Sequence, residues 1–325
     1  MNDLESSGGK LPLWVQLPTS AVLLVILLLA LRMVNGRNAR FVIFACWLRF
    51  MLSAFHIYTF PKILGGLSIN AAGSLALFGL GLLVLPRALL LSKAILSTYL
   101  LVIVIIASAY ANHMITESFE PVTKFGLLIV IALNCYQALR IEDERRFGLA
   151  TLLSFTPLLV FQALSLVLNV AKTDAGTNVR NFIGGYNHEA AFSVALFGLF
   201  IAAAVSRSMP RGLRFAIVPI AVVSIMLANY RTAILAMAPL VIYYLLFGIS
   251  RFVGRSLRPL VVAVCGFALV LLSATAIVTL DRFSELRTIA QGDQPLIQPP
   301  DQFIQRRHPP MTGGRHRQNR PLQFP

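Results

Sequence analysis

"FAIVPIAVVSIMLANYRTAILAMAPLVIYYLLF", residues 215–247, decides what kind of chain this is. As a single helix across 213–247 it would run about 52 Å, well beyond the ~30 Å hydrocarbon core of a bilayer. A break near Asn229 is therefore expected. It leaves two short apolar helices: Phe215–Ala228 would climb about 21 Å and Thr232–Phe247 about 24 Å. Both fall short of the core, so Arg231 between them is expected below the membrane surface. Short or broken apolar segments are a pointer to substrate sites in membrane transporters.

The rest of the chain agrees with that setting. Of its 325 residues 57% are hydrophobic and 13% charged, with a mean hydropathy of +0.75, whereas soluble domains average about 25% charged. Apolar segments recur at 13–34, 39–58, 63–85, 88–111, 121–139, 149–171, 188–206, 213–229, 231–249 and 257–280. The expected fold is all-α, a polytopic transmembrane helical bundle over 1–280 with about ten spans, because only helices and closed barrels satisfy their backbone in lipid. Residues 281–325 lose the apolar period, are rich in Pro, Gln and Arg, and read as a polar, basic, disordered tail. Met1–Lys10 carries Asp3 and Glu5 where a signal peptide would be basic, so no cleavable leader is expected.

The net charge of +15 lies in the loops, which argues against a nucleic-acid partner. Every second loop is the basic one: Arg32, Arg37 and Arg40, then Arg87 and Lys93, then Arg140, Arg145 and Arg146, then Arg207, Arg211 and Arg214, then Arg251, Arg255 and Arg258. Placing the arginine-rich loops in the cytoplasm turns the termini and the segments 112–120, 172–187 and 229–231 outward. Cys46, Cys135 and Cys265 lie in apolar runs without metal or disulfide spacing and read as small buried hydrophobes.

Several chemistries lack their residues. There is no G-x-x-x-x-G-K-[ST], H-E-x-x-H or G-x-S-x-G motif, so neither a metal nor a nucleotide cofactor is expected. All thirteen acidic residues fall in loops or at span ends, which weakens an ion-coupled transporter. What remains is a set of outward arginines, Arg180, Arg231 and Arg282, and a polar cluster in "IGGYNHEAAFSVALF", residues 183–197. Two arginines in a partly dehydrated cleft suit a pyrophosphate, since each offers a planar fork of donors, and such a clamp stabilises a leaving group without metal. Tyr186, Asn187, His188 and Glu189 open the helix that follows. An Asn cap with an acid in the first turn is one reading; a general base at His188 or Glu189 acting on a sugar hydroxyl is the other. Arg49 is expected in the cytoplasmic half of the second span, snorkelling or paired with a helix end. Tyr110 and His113 read as interfacial anchors.

"VRNFIGGYNHEAAFSVALF" followed by "LANYRTAILAMAPLVI" resembles the core of the O-antigen ligase and O-antigen/exopolysaccharide polymerase family, over about 170–280. The resemblance implies a metal-independent glycosyltransferase of the bacterial inner membrane. It would move oligosaccharide from a polyprenyl pyrophosphate carrier to a glycan or lipid acceptor on the periplasmic side. Arg180 and Arg231 map to the family's two essential arginines, and Tyr230 stands where a Ser is usual. Asn187 and Tyr230 are supporting residues in this scheme, and the partners are the lipid-linked oligosaccharide, the bilayer and other polysaccharide export and chain-length proteins. After "DRFSELRT" the chain departs from the family, without its Trp-containing outer loop and functional His, and a frameshift or truncation near Phe303 is expected. Two rivals stand beside the enzyme: a transporter or flippase of lipid-linked glycans, and a non-catalytic remnant.

Overall fold

The computed structural model describes residues 11–64, 67–92, 95–173, 180–206 and 209–244, with Pro259, Ala263, Gly266 and Phe267. The tail, Arg282 and the rest of the expected span at 257–280 lie outside the described residues. In chain order the elements are α1 (Leu13–Arg32), α2 (Arg37–Ala54), α3 (His56–Thr59), β1 (Lys62–Leu64), β2 (Leu67–Ser68), α4 (Ile69–Val84), α5 (Arg87–Leu90) and α6 (Leu96–Ala111). They continue with α7 (Ile115–Ile141), α8 (Glu144–Ser154), α9 (Thr156–Val167), β3 (Lys172–Thr173), β4 (Arg180–Asn181), α10 (Glu189–Val205), α11 (Arg211–Ala228) and α12 (Arg231–Tyr243).

Among the described residues three stretches are long and apolar enough to cross a membrane: Leu13–Arg32, Val122–Ile141 and Glu144–Val167. Their outer faces stay greasy. Trp14, Val25 and Leu29 on α1 and Leu128 and Leu139 on α7 are exposed, the inverse of a water-soluble surface. Shorter apolar helices cover Ile69–Val84, Leu96–Ala111, Glu189–Ala204, Gly212–Ala228 and Thr232–Tyr243. The expected span at 39–58 is α2, whose Arg37, Arg40 and Arg49 put it in neither group.

Several boundaries move, each for a local reason. The segment expected at 63–85 begins as an antiparallel hairpin, β1 against β2, and the helix starts only at Ile69, where the Ser68 hydroxyl accepts from Ala71 N–H at 3.1 Å. The segment at 149–171 starts early, because Asp143 caps Arg146 N–H at 2.9 Å, and it is interrupted at Phe155 where Pro157 enters the first turn of α9. It closes at Asn169 in the left-handed conformation. Val170 N–H reaches Ser165 carbonyl at 2.8 Å and Asn169 N–H reaches Leu166 at 3.1 Å, the paired bonds of a Schellman cap. The break expected near Asn229 is there: Asn229 sits at φ 51, ψ 41 between α11 and α12. At 18 residues α11 is about 27 Å long rather than 21 Å.

The hub is α2, which packs on α1, α4, α7, α8 and α9 and buries Phe41, Val42, Ile43, Trp47 and Met51. Lipid supplies little hydrophobic drive between helices, so close approach and internal hydrogen bonds must hold them. Gly81 on α4 allows that approach, since a side chain there would run into Phe41 of α2 and Val130 of α7. Asn134, fully buried on α7, then ties the three together: it accepts from Asn38 at 2.8 Å and donates to the Gly81 carbonyl at 3.2 Å.

Helices that alternate in direction leave the bundle with two ends. One gathers the close of α1, α4, α7 and α10 with the start of α2, α8 and α11. There Glu142 accepts from Asn35 N–H at 3.1 Å and from Gly36 N–H, Asn38 donates to the Val84 carbonyl at 3.4 Å, and Arg214 donates to the Ser206 carbonyl. Arg32, Arg37, Arg40, Arg87, Arg140, Arg145 and Arg146 all stand exposed at this arginine-rich end. The opposite end carries the β3–β4 hairpin.

Candidate functional site at the hairpin end

Register builds the hairpin face. Lys172 lies opposite Asn181 and Thr173 opposite Arg180, so Lys172 and Asn181 share one side of the ribbon. Both reach the same carboxylate: Lys172 Nζ is 3.3 Å from Glu189 Oε1 and Asn181 Nδ2 donates to that oxygen at 3.0 Å. Lys172 also donates to the Asn187 carbonyl at 2.6 Å. Glu189 opens α10, where the helix dipole favours an acid, and it clamps the ribbon to the helix start.

Arg180 lies on the other side and is exposed. Its Nη2 donates to Asn169 Oδ1 at 3.0 Å and to the Asn169 carbonyl at 3.2 Å, and its guanidinium lies 5.9 Å from the Phe182 ring. The Schellman cap thus doubles as a bracket for Arg180, and among the described residues Nε and Nη1 have no partner. From β4 the chain docks onto α11: Phe182 N–H donates to the Leu227 carbonyl at 3.0 Å. Gln162 of α9 donates to the Phe182 carbonyl at 3.0 Å and to the Ser224 carbonyl at 2.8 Å, locking the same junction.

The Gly184–Gly185 pair then reverses the chain. Tyr186 N–H bonds the Ile183 carbonyl at 3.1 Å with φ +60 at Gly184 and +88 at Gly185, a mirror-image turn that only glycine enters without cost. A Cβ on Gly184 would stand 2.7 Å from backbone atoms of Phe161 and Gln162. The turn is thereby pressed onto α9. It is also fastened to the close of α2, since His56 Nδ1 donates to the Gly185 carbonyl and Tyr186 hydroxyl donates to the Phe50 carbonyl at 2.8 Å. Burial pushes the Tyr186 phenol well above its ordinary pKa, opposed by the Arg49 charge beside it, so this loop hydroxyl stays a neutral donor.

Each expected site residue has a place. Helix α10 starts at Glu189, and its N-cap position is His188, not Asn187, with no side-chain cap bond. The Asn-cap reading is therefore corrected: Asn187 Nδ2 turns instead to His188 Nε2 at 3.1 Å, and His188 is exposed. Tyr230 is the N-cap of α12 and Arg231 its first residue. The Phe182–Leu227 bond seats the strand that bears Arg180 against the helix end from which Arg231 follows, so the two backbones share this end of the bundle. Arg282 lies outside the described residues.

Arg49 is corrected too. It stands nearer to Ala54 than to Arg37 on α2, hence toward the hairpin end and away from the arginine-rich one. Of the two roles expected for it, pairing with a helix end is the one that fits, at the start of α4. Its Nη1 donates to Asn70 Oδ1 and Ser74 Oγ, both at 2.7 Å, bridging α2 to the first turns of α4. Sequence reading also passed over Lys172, Asn181 and Gln162. Their signal was present as polar residues beside or, for Gln162, inside an apolar run, and the tertiary pairing that gives them meaning was not. Among the described residues Asn181 Oδ1, Ser193 Oγ and Asn229 Oδ1 are buried without partners, on the three elements that meet below the hairpin. No group of three or more His, Cys, Asp or Glu able to hold a metal occurs among the described residues. Compared with protein-family models, curated proteins and solved structures, the chain matches none of them.

Proposed function

We propose that this chain is a multi-pass membrane glycosyltransferase of the bacterial inner membrane that takes oligosaccharide from a polyprenyl pyrophosphate carrier. The acceptor is a growing glycan or a lipid on the periplasmic side, as in O-antigen or exopolysaccharide assembly. One observation carries the reading: the Phe182–Leu227 backbone bond brings the Arg180 hairpin to the α11–α12 break that Arg231 follows. Two arginine positions at one end, with donors of Arg180 unused among the described residues, suit a pyrophosphate leaving group.

Roles follow from the surroundings. Arg180 and Arg231, joined by Arg282 from beyond the described residues, hold the pyrophosphate and stabilise the charge that grows on it as the glycosidic bond breaks. Glu189 is held on Oε1 by both Lys172 and Asn181, which fits a positioning residue better than a mobile base. His188, exposed beside Asn187, takes the proton from the acceptor hydroxyl. The ten-span topology with the hairpin end outward completes the reading, because the arginine-rich end suits the cytoplasmic side.

Complementation tests it. In a strain deleted for this gene, the 325-residue chain should restore long surface glycan on a gel, while Arg180→Ala and Arg231→Lys should not, at equal membrane protein levels. Arg231→Lys is the sharper variant, since lysine retains the charge and loses the fork. Full-length glycan from both variants would end the pyrophosphate-clamp reading.

A further inference from the structure

Arg49 is an electrostatic anomaly. Its guanidinium lies beside the first turns of α4, the positive end of that helix dipole, where a cation is disfavoured. Around it α2 buries Ala45, Trp47, Met51 and Ala54, and no carboxylate pairs with it among the described residues. Only Nη1 is engaged, by neutral acceptors: Asn70 Oδ1 at 2.7 Å, Ser74 Oγ at 2.7 Å and the Asn70 carbonyl at 3.4 Å. Ser74 hydroxyl itself donates to the Asn70 carbonyl at 2.8 Å, which turns its lone pairs to the arginine. The acceptors thus fix the guanidinium plane and leave Nε and Nη2 without a partner among the described residues. The side chain is half-buried, not sealed. Its backbone neighbour Phe50 receives the Tyr186 hydroxyl, so the group lies directly under the Gly-Gly turn that leads to His188 and Glu189.

A fixed guanidinium with two idle nitrogens, next to a positive helix end and with no carboxylate paired to it among the described residues, is half of an ion pair. We propose that Arg49 is an anion subsite whose missing half is a phosphate group of a lipid, held by Nε and Nη2 where α2 and α4 meet beneath the hairpin. Such a fork takes two phosphate oxygens in its plane. That this lipid is the polyprenyl pyrophosphate rests on the function proposed above; the subsite itself does not.

The test uses the full chain in lipid nanodiscs, titrated with polyprenyl pyrophosphate and, separately, with inorganic pyrophosphate, with a melting curve for every variant. Arg49→Gln should weaken lipid pyrophosphate binding by roughly tenfold or more in a variant that still folds, since charged hydrogen bonds carry energies of that order. If Arg49→Gln fails to fold, Arg49→Lys decides: weaker binding by a folded Lys variant supports the subsite, and unchanged binding overturns it. Ser74→Ala tests the bridge alone and should lower melting more than affinity; an Arg49→Gln variant that likewise loses melting temperature but keeps its affinity would make Arg49 merely a fastener and overturn the proposal. Arg49-dependent binding of inorganic pyrophosphate as tight as the lipid's would reassign the occupant to a free anion and overturn the lipid. Binding that falls with Arg180→Ala but not with either Arg49 variant overturns the subsite and leaves the proposed function standing. Arg49-dependent binding indifferent to Arg180→Ala does the opposite. If neither probe binds the wild-type chain, both fail.

Discussion

The two ends of the bundle use the same residue types in opposite ways. At the arginine-rich end Arg37, Arg140 and Arg145 point outward, and the polar contacts underneath cap backbone, as Glu142 does for Asn35 and Gly36. At the hairpin end polar groups turn inward. Asn181 is fully buried, Gln162 nearly so, and three side-chain oxygens and hydroxyls have no partner among the described residues. Buried polar atoms without partners cost about 1–3 kcal/mol each in a protein interior. The arginine-rich end bears part of that cost too, at Ser206 Oγ and the Tyr244 hydroxyl, so the ends differ in where their arginines and amides are placed rather than in how fully their polar atoms are paired.

A glycine pair should separate the ends most widely. Gly184→Ala forces a left-handed φ on a residue with a Cβ and drives that Cβ into the α9 backbone, so it should cost about 2–5 kcal/mol. Gly36→Ala has an allowed φ of −72 and meets only the end of the Glu142 side chain, so its cost should be under about 1 kcal/mol. Unfolding in detergent micelles reads both, and equal losses would mean that the turn is not pinned as described.

Next come the two buried amides. Asn134→Leu and Gln162→Leu should each cost about 1–3 kcal/mol, because each strands main-chain or side-chain partners. Only Gln162→Leu should speed amide exchange in 180–189, since only Gln162 fastens the hairpin to α11. Faster exchange there in Asn134→Leu would merge the two ends into one cooperative unit. A smaller effect belongs to the Lys172–Glu189 pair. With side chains 28% and 17% exposed, its coupling in a double-mutant cycle should be under about 1 kcal/mol. A coupling several times larger would make the clamp the main hold on the hairpin. Smallest of all, Asn229→Gly should shift stability by no more than about 0.5 kcal/mol, because glycine accepts φ 51 and the lost amide oxygen had no partner among the described residues. A larger loss would reveal a partner for that oxygen.

How legible this was depended on the range of the physics. The break at Asn229 follows from length alone, since two apolar runs joined end to end overshoot a bilayer, and the arginine-rich end follows from charge spaced along the chain. Helix existence was readable wherever the apolar run was long. The hairpins were not, because two-residue strands such as Lys172–Thr173 leave no period to detect. Arg49 was assigned to the wrong half of its helix, and its partners Asn70 and Ser74 come from another helix, so no local pattern could have named them. The convergence of Arg180 with the start of α12 is likewise a product of one backbone bond between distant segments.

The interruption at Phe155 has a mechanical side. Glu144–Val167 is the longest of the three candidate spans at 24 residues, yet it is two rods, α8 and α9, meeting at a joint instead of one stiff beam. The hydroxyls of Ser154 and Thr156 donate to the Thr151 and Leu153 carbonyls at 2.6 and 2.7 Å, so carbonyls at the joint are satisfied by its own side chains. The α9 rod carries Gln162 and runs on to Asn169, the bracket of Arg180, while the α8 rod starts among the arginines.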